Sequence, residues 1–307
     1  MSSSDLHISI QDLLELEGIT EGTEFFKHQR VAGLLSGRHA SMLRGRGLDF
    51  SEVRKYVMGD DIRNIDWKVT ARTRETHTKV FSEEKERPQM VILDQSLAML
   101  FGSSHQLKAN IAIQMMAIHG FRALKMGDRF GGIIYNDEKT LMFRPSRSKT
   151  LFQALLEESL QLNHALISQK VKKNTKSDKI NEALFQMLQI ATHDYIINVI
   201  TDATLLDEIG IERLGTLAQS NNVIVTHIYD PLDEKLPKQR MPLTDTHVQI
   251  DWEVSKEKQI AFEDNYKSVY QEVEKRLVNY RIPLIQFDTI TPIRTQVKEL
   301  LNDQYRK

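Results

Sequence analysis

A chain of 307 residues, 40% hydrophobic and 27% charged, can bury one large core, or a core plus a small added module, and no apolar run in it approaches the ~18–20 residues that span a bilayer. With no cysteine it excludes disulfides, thiolate metal sites and a cysteine nucleophile, so any metal must use oxygen or imidazole ligands. The formal net charge of −1 hides a basic excess of twelve Lys/Arg over six Asp/Glu between Lys27 and Val80, which either faces an acidic partner or is absorbed by internal ion pairs and a solvated face.

Residues 1–20 read as an N-terminal tail, and MSSSDLHISIQDLLELEG lacks the basic start and apolar stretch of a signal peptide, so a cytoplasmic protein is expected. The segment 21–86 is charged and glycine-punctuated, with too little apolar content to fold alone; it holds a helical pattern near Glu24–Leu35 and its best strand in THTKVFSEE. From Arg87–Pro88 onward short apolar runs alternate with helical patterns, as in βαβ units around a mainly parallel sheet. QMVILD is the first strand. QLKANIAIQMMAIHGFRALKMGD is a helix apolar around so much of its circumference that burial on several sides is expected. RFGGIIYND and TLMFRPS follow as a hairpin, KTLFQALLEESLQL as a helix, SQKVKKNTKSDK as a polar loop and INEALFQMLQIATHD as a helix. Then come strand YIINVITDA, helix LLDEIGIERLGTLAQSNN, strand VIVTHIYDP, a Pro-bearing excursion to about Pro242 and strand-like THVQIDW. Phe262, Tyr266, Val269, Val273 and Leu277 recur at helical spacing before strand PLIQFDTI and a last helix from about Pro292.

Asp94 and Asp202 each end an apolar strand run, which puts both carboxylates at the carboxyl edge of the sheet, where ligands bind in open α/β folds. If the two strands are neighbours, a hard divalent cation with oxygen ligands would relieve the repulsion between them; Mg²⁺ is the natural candidate, and Ser96 adds a hydroxyl from the same turn. The same residues also suit helix N-caps, where Asp and Ser accept from exposed amides.

LDQSLAM and ITDA, separated by a helix, a hairpin and a helix, resemble the von Willebrand factor A fold, whose metal-ion-dependent adhesion site carries D-x-S-x-S, a middle-loop Thr and an Asp after a later strand. The resemblance implies Asp94, Ser96 and Asp202 as metal ligands, with the middle-loop ligand among Thr175, Ser177 and Asp178; Ala98 stands where the motif has its second serine. Upstream, Tyr56, Gly59, Asp60, Asp61, Arg63, Ile65, Asp66, Trp67, Ala71 and Arg72 are similar to the Y-x-x-G-D-D-x-R-x-I-D-W-x-x-x-A-R signature of domain-of-unknown-function family fifty-eight, with every element present. This resemblance implies a von Willebrand A-like α/β domain over 87–307 behind a signature module over 21–86. It also implies a partner rather than a reaction: a non-enzymatic adaptor that works with a MoxR-type AAA+ ATPase in assembling or remodelling other proteins. Within the signature, Asp60, Asp61, Arg63, Asp66 and Arg72 either form an ion-pair network with Trp67 as its apolar anchor, or belong in part to a partner surface with Trp67 and an Arg as hot-spot types.

Two other function classes compete. A carboxylate after a first strand is also how haloacid-dehalogenase-like phosphatases present a nucleophile, so Asp94 offers a Mg²⁺-dependent hydrolase reading; that chemistry wants a second Asp two residues on, where Ser96 stands. The basic 27–80 stretch offers a nucleic-acid reading without an evident stacking platform. No histidine stands in H-E-x-x-H, no Walker A pattern is present, and His119 reads as a packed core histidine.

Overall fold

In a computed structural model the described residues are 7–20, 48–83, 87–104, 106–168, 178–235, 241–245, 248–252 and 256–305. They fall into two compact units, Ala32–Glu86, and Met1–Val31 with Arg87–Lys307. The chain opens with α1 (Ile10–Leu14), continues through β1 (Leu48–Lys55), α2 (Trp67–Thr73) and β2 (His77–Glu83), and enters the large unit at β3 (Gln89–Asp94). There follow α3 (Lys108–Lys125), β4 (Phe130–Tyr135), β5 (Thr140–Ser146), α4 (Lys149–Ser168), α5 (Asp178–Ile190), β6 (Ile196–Thr201), α6 (Glu208–Ala218) and β7 (Asn222–Tyr229). The chain closes with α7 (Pro231–Glu234), a hairpin of β8 (Met241–Asp245) and β9 (Val248–Trp252), α8 (Lys256–Asn279), β10 (Leu284–Asp288) and α9 (Ile293–Tyr305).

The six-stranded sheet has the order β10-β7-β6-β3-β4-β5, parallel throughout except for the β4/β5 hairpin. Strands buried on both faces need apolar residues at every position, which is why QMVILD reads as a continuous run. Alternation still sorts its side chains. Val91 and Leu93 join the core formed with α1, α3, α4 and α9, whereas Met90 and Ile92 join the one formed with α5, α6 and α8. Helix α3 is buried from Lys108 to Gly120, as its all-round apolar composition requires. A Cβ on Gly120 would meet the Phe152 ring at 2.1 Å, so glycine there sets how closely α4 approaches.

The order of the strands fixes where a site can form. From the central β3 the chain moves to β4 and β5 on one side, then returns to β6, β7 and β10 on the other, so the crevice between the carboxyl ends of β3 and β6 is the topological switch point. Asp94 and Asp202 lie at that crevice, on neighbouring strands, as their positions at the ends of apolar runs predict.

The structure departs from the sequence reading in three places. Within the expected N-terminal tail, residues 7–20 are packed: Ser9 and Asp12 form a capping box on α1, and Ile8, Leu13, Leu16 and Ile19 enter the core. The Pro-bearing excursion contains strand β8, with Pro242 inside it, paired to β9 in a separate two-stranded sheet. In the small unit β1 pairs with β2, and β1 carries no alternation clear enough to be seen beforehand. The expected helix near Glu24–Leu35 lies outside the described residues.

Candidate functional site

At the end of β3, Asp94 is 3% exposed. Its Oδ1 accepts the Ser96 amide at 2.8 Å and its Oδ2 accepts the Thr201 hydroxyl at 2.6 Å, so both oxygens are engaged and the β3 end is tied to β6. Burial raises its pKa by more than the hydrogen bonds from Ser96 and Thr201 lower it. The hydroxyl of Tyr135, buried on the adjacent strand, faces Asp94 and Thr201, and burial, ahead of the Asp94 charge, pushes its pKa up. Gln95 fastens the loop from below: its amide donates to the Asp94 and Ala109 carbonyls, and Asn163 on α4 donates to its oxygen.

Asp202 does not face Asp94 across a shared ligand. Its Oδ1 accepts the amide and hydroxyl of Thr204, capping the turn that follows β6, and its Oδ2 accepts Lys108 Nζ at 2.8 Å. Lys108, the first residue of α3, is 3% exposed and bridges to Asp233 Oδ2, also at 2.8 Å. Burial alone would lower the lysine pKa; the two carboxylates outweigh it and hold the ammonium above its ordinary value. Burial pushes Asp202 up, and the Lys108 charge together with His227 and the hydrogen bonds from Lys108 and Thr204 outweighs that, leaving the carboxyl below its ordinary value. His227 is fully buried next to Asp202. Its Nδ1 accepts the Ala203 amide at 3.0 Å, which puts the ring proton on Nε2, facing the Tyr266 hydroxyl at 3.1 Å. Along the same edge Asp230, after β7, accepts the Ser103 amide, the Leu232 amide and the Thr289 hydroxyl.

Three of the residues named as metal ligands therefore share one edge without forming one ligand set, and among the described residues no three His, Asp or Glu side chains converge as a metal cluster. Ser96 contributes its amide and makes no side-chain cap, and Ala98 is exposed with no ligand atom. Thr175 and Ser177 lie outside the described residues, and Asp178 opens α5.

The signature block is a loop and short helix laid on β2. Val57 to Asp60 form a turn closed by the Asp60 amide on the Val57 carbonyl, and Gly59 occupies it at φ 109°, a backbone region where side-chain-bearing residues are strained. Asp60 accepts the Val57 amide and pairs with Arg54 at 2.7 Å; Asp61 accepts the Arg63 amide; Asp66 N-caps α2 by accepting from Lys68 and Val69. The side chains of Asp61 and Arg63 lie 3.5 Å apart, and those of Asp66 and Lys79 3.7 Å apart. Arg72 has no ion-pair partner among the described residues, so the dense mutual network is replaced by local caps and short pairs. Trp67 is 70% exposed, and in the same block Val57, Met58 and Ile62 are 60%, 97% and 67% exposed.

Residues 52–276, which take in this block and most of the sheet, match the family described as Protein of unknown function DUF58. The chain belongs to that family. Over 108 residues it is 33% identical to uncharacterized proteins of Mycobacterium bovis and Mycobacterium tuberculosis, a match covering 35% of this chain and 34% of theirs. Among solved structures it is similar to BatB from Bacteroides thetaiotaomicron, with 14% identity and a TM-score of 0.40. It is also similar to an aerotolerance-related membrane protein from Bacteroides fragilis, with 14% identity and a TM-score of 0.41. Each alignment covers 72% of this chain and 100% of the other. No helix among the described residues of this DUF58 chain is long and apolar enough to cross a membrane.

Lys108, Asp230, Asp233 and Thr201 are the edge residues that sequence reasoning missed. One signal was available for the first: a lysine heading a helix that carries no other Lys, Arg, Asp or Glu before Arg122 must either reach water or find a buried carboxylate.

Proposed function

We propose that this DUF58 protein is a non-enzymatic adaptor that works with a MoxR-type AAA+ ATPase in protein assembly or remodelling, and that the signature block is the surface it presents. The exposure of Val57, Met58, Ile62 and Trp67 within one short, internally satisfied loop and the start of the helix that follows it carries the reading. Four large apolar side chains exposed within eleven residues are a poor use of surface for a solitary protein, and Trp and Arg are the residue types that most often dominate binding energy at interfaces. The aspartates support it by fixing the backbone of that loop through their own neighbours' amides. A preformed loop loses little conformational entropy on docking.

The test is direct binding to a purified MoxR-type ATPase from the same organism, with ATP or a slowly hydrolysed analogue, by calorimetry or gel filtration. A complex that weakens about tenfold or more in Met58→Asp is expected, since burying one uncompensated charge costs more than the ~1.4 kcal/mol that factor represents. Absence of a complex in every nucleotide state would end the proposal.

A further inference from the structure

We infer that the ammonium of Lys108 stands in for the divalent cation at the sheet edge, so that the adhesion-type site implied by Asp94, Ser96 and Asp202 is completed by the chain itself and needs no metal. The donor set does not fit an ion. A cation needs free oxygen lone pairs directed at one point, whereas here the Asp94 oxygens are aimed at Ser96 and Thr201, and Asp202 Oδ1 at Thr204. The oxygen of Asp202 that remains, Oδ2, holds Lys108 Nζ at 2.8 Å, and the second carboxylate on that ammonium is Asp233, whose Oδ2 also accepts the Asp230 amide. Ala98 supplies nothing.

The lysine also performs the cross-linking that a shared ion would give. It joins the start of α3 to residues 94 and 125 positions further along the chain, just after β6 and in α7, through two charge-assisted hydrogen bonds. It cannot simply swing aside to admit an ion, being 3% exposed with its ammonium 5.8 Å from the centroid of the Phe101 ring. Mg²⁺ gives up its water reluctantly and would have to displace a cation that is already dehydrated and paired. An acidic side chain from a partner therefore finds no open coordination position here, and recognition at this edge would proceed by shape and hydrogen bonds. The inference does not depend on the ATPase partnership, and each can fail without the other.

Thermal unfolding of the full chain in EDTA, MgCl₂ and MnCl₂ tests it. The wild-type Tm is expected to stay within about 1 °C across the three, whereas Lys108→Ala, which empties the space between two carboxylates, melts lower and recovers ~3 °C or more in saturating MnCl₂ or methylammonium, a recovery lost in Lys108→Ala/Asp202→Asn. Saturable stabilisation of the wild type by either metal, abolished by Asp202→Asn, would overturn the inference, as would a Lys108→Ala protein that melts with the wild type. If Lys108→Ala does not fold, Lys108→Met/Asp202→Asn/Asp233→Asn decides alongside the wild-type titration. Recovery of a cooperative transition shows that charge balance was the lysine's task, and failure to recover it counts against the inference.

Discussion

At the sheet edge and in the signature block the same side chain, aspartate, meets opposite fates. Asp94, Asp202 and Asp230 are buried and accept from groups 107, 94 and 127 residues away, so each fastens elements that meet only in the folded sheet. Asp60, Asp61 and Asp66 accept from amides no more than three residues away, shaping a loop whose apolar side chains point outward. A carboxylate satisfied at long range has become part of the core and has nothing left to offer a ligand. One satisfied locally holds its backbone still and leaves the neighbouring side chains free to be recognised. The contrast assigns stability to the edge and recognition to the block.

The sharpest way to break that assignment is Lys108→Met. Removing one member of a buried ion pair strands the other charge, so Asp202 and Asp233 should cost about 3–5 kcal/mol of folding stability in a denaturant titration. A loss below about 1 kcal/mol would mean the edge is open to water and the contrast is false. The second effect is set by pH. His119, buried on α3, accepts the Asn198 amide and has its pKa lowered to about 3 by burial, reinforced by Arg122. Its folded pKa lies below the unfolded value of ~6.5, so between those two values the unfolded chain binds the extra proton, and stability falls as pH drops through that window. By about pH 4 the loss from this one group is on the order of 3 kcal/mol, and His119→Gln, which keeps an acceptor but does not titrate, should flatten the profile relative to wild type. Parallel profiles would show that His119 is protonated at no such cost.

Much of this arrangement was legible beforehand, for physical reasons. Strands covered on both faces are largely apolar, so β3, β6 and β7 announce themselves, and the carboxylates that close the first two runs, Asp94 and Asp202, have to emerge at the carboxyl edge. The family signature is dense enough to place the block. What the pattern could not convey is pairing over distance. Nothing in QLKAN says that its lysine will lie against a carboxylate 94 residues on, and a single charge at a helix start ordinarily signals solvent. The reading of Asp94, Ser96 and Asp202 as co-ligands followed from their location, whereas their orientation is decided by Thr201, Thr204 and Lys108. Trp67 was ambiguous for a related reason: an aromatic residue among charges suits an anchor or a contact, and sequence spacing does not reveal its exposure.

Asp94→Ala has a smaller expected effect at the edge. It leaves the Ser96 amide and the Thr201 hydroxyl without acceptors, at about 2 kcal/mol, and the loss should be insensitive to divalent cations. A loss that appears only in the presence of Mg²⁺ would restore the metal reading.

The smallest stability effect should be the most informative. Trp67 begins α2, but the cap of that helix belongs to Asp66, and 70% of the indole-bearing residue is in solvent. Trp67→Ala should therefore leave the unfolding free energy within about 0.5 kcal/mol of wild type. If the block is the displayed surface, the same substitution should weaken binding to the ATPase by ~2 kcal/mol or more, because a solvent-facing tryptophan gains its burial only at an interface. The two measurements together decide between the roles. A mutant that unfolds more easily without changing affinity makes Trp67 a packing residue, and the block would then have to be read as the edge is, as a structural device. A mutant with unchanged stability and lost binding separates recognition from folding at a single side chain, a separation that Lys108, engaged on both sides by buried carboxylates, does not permit.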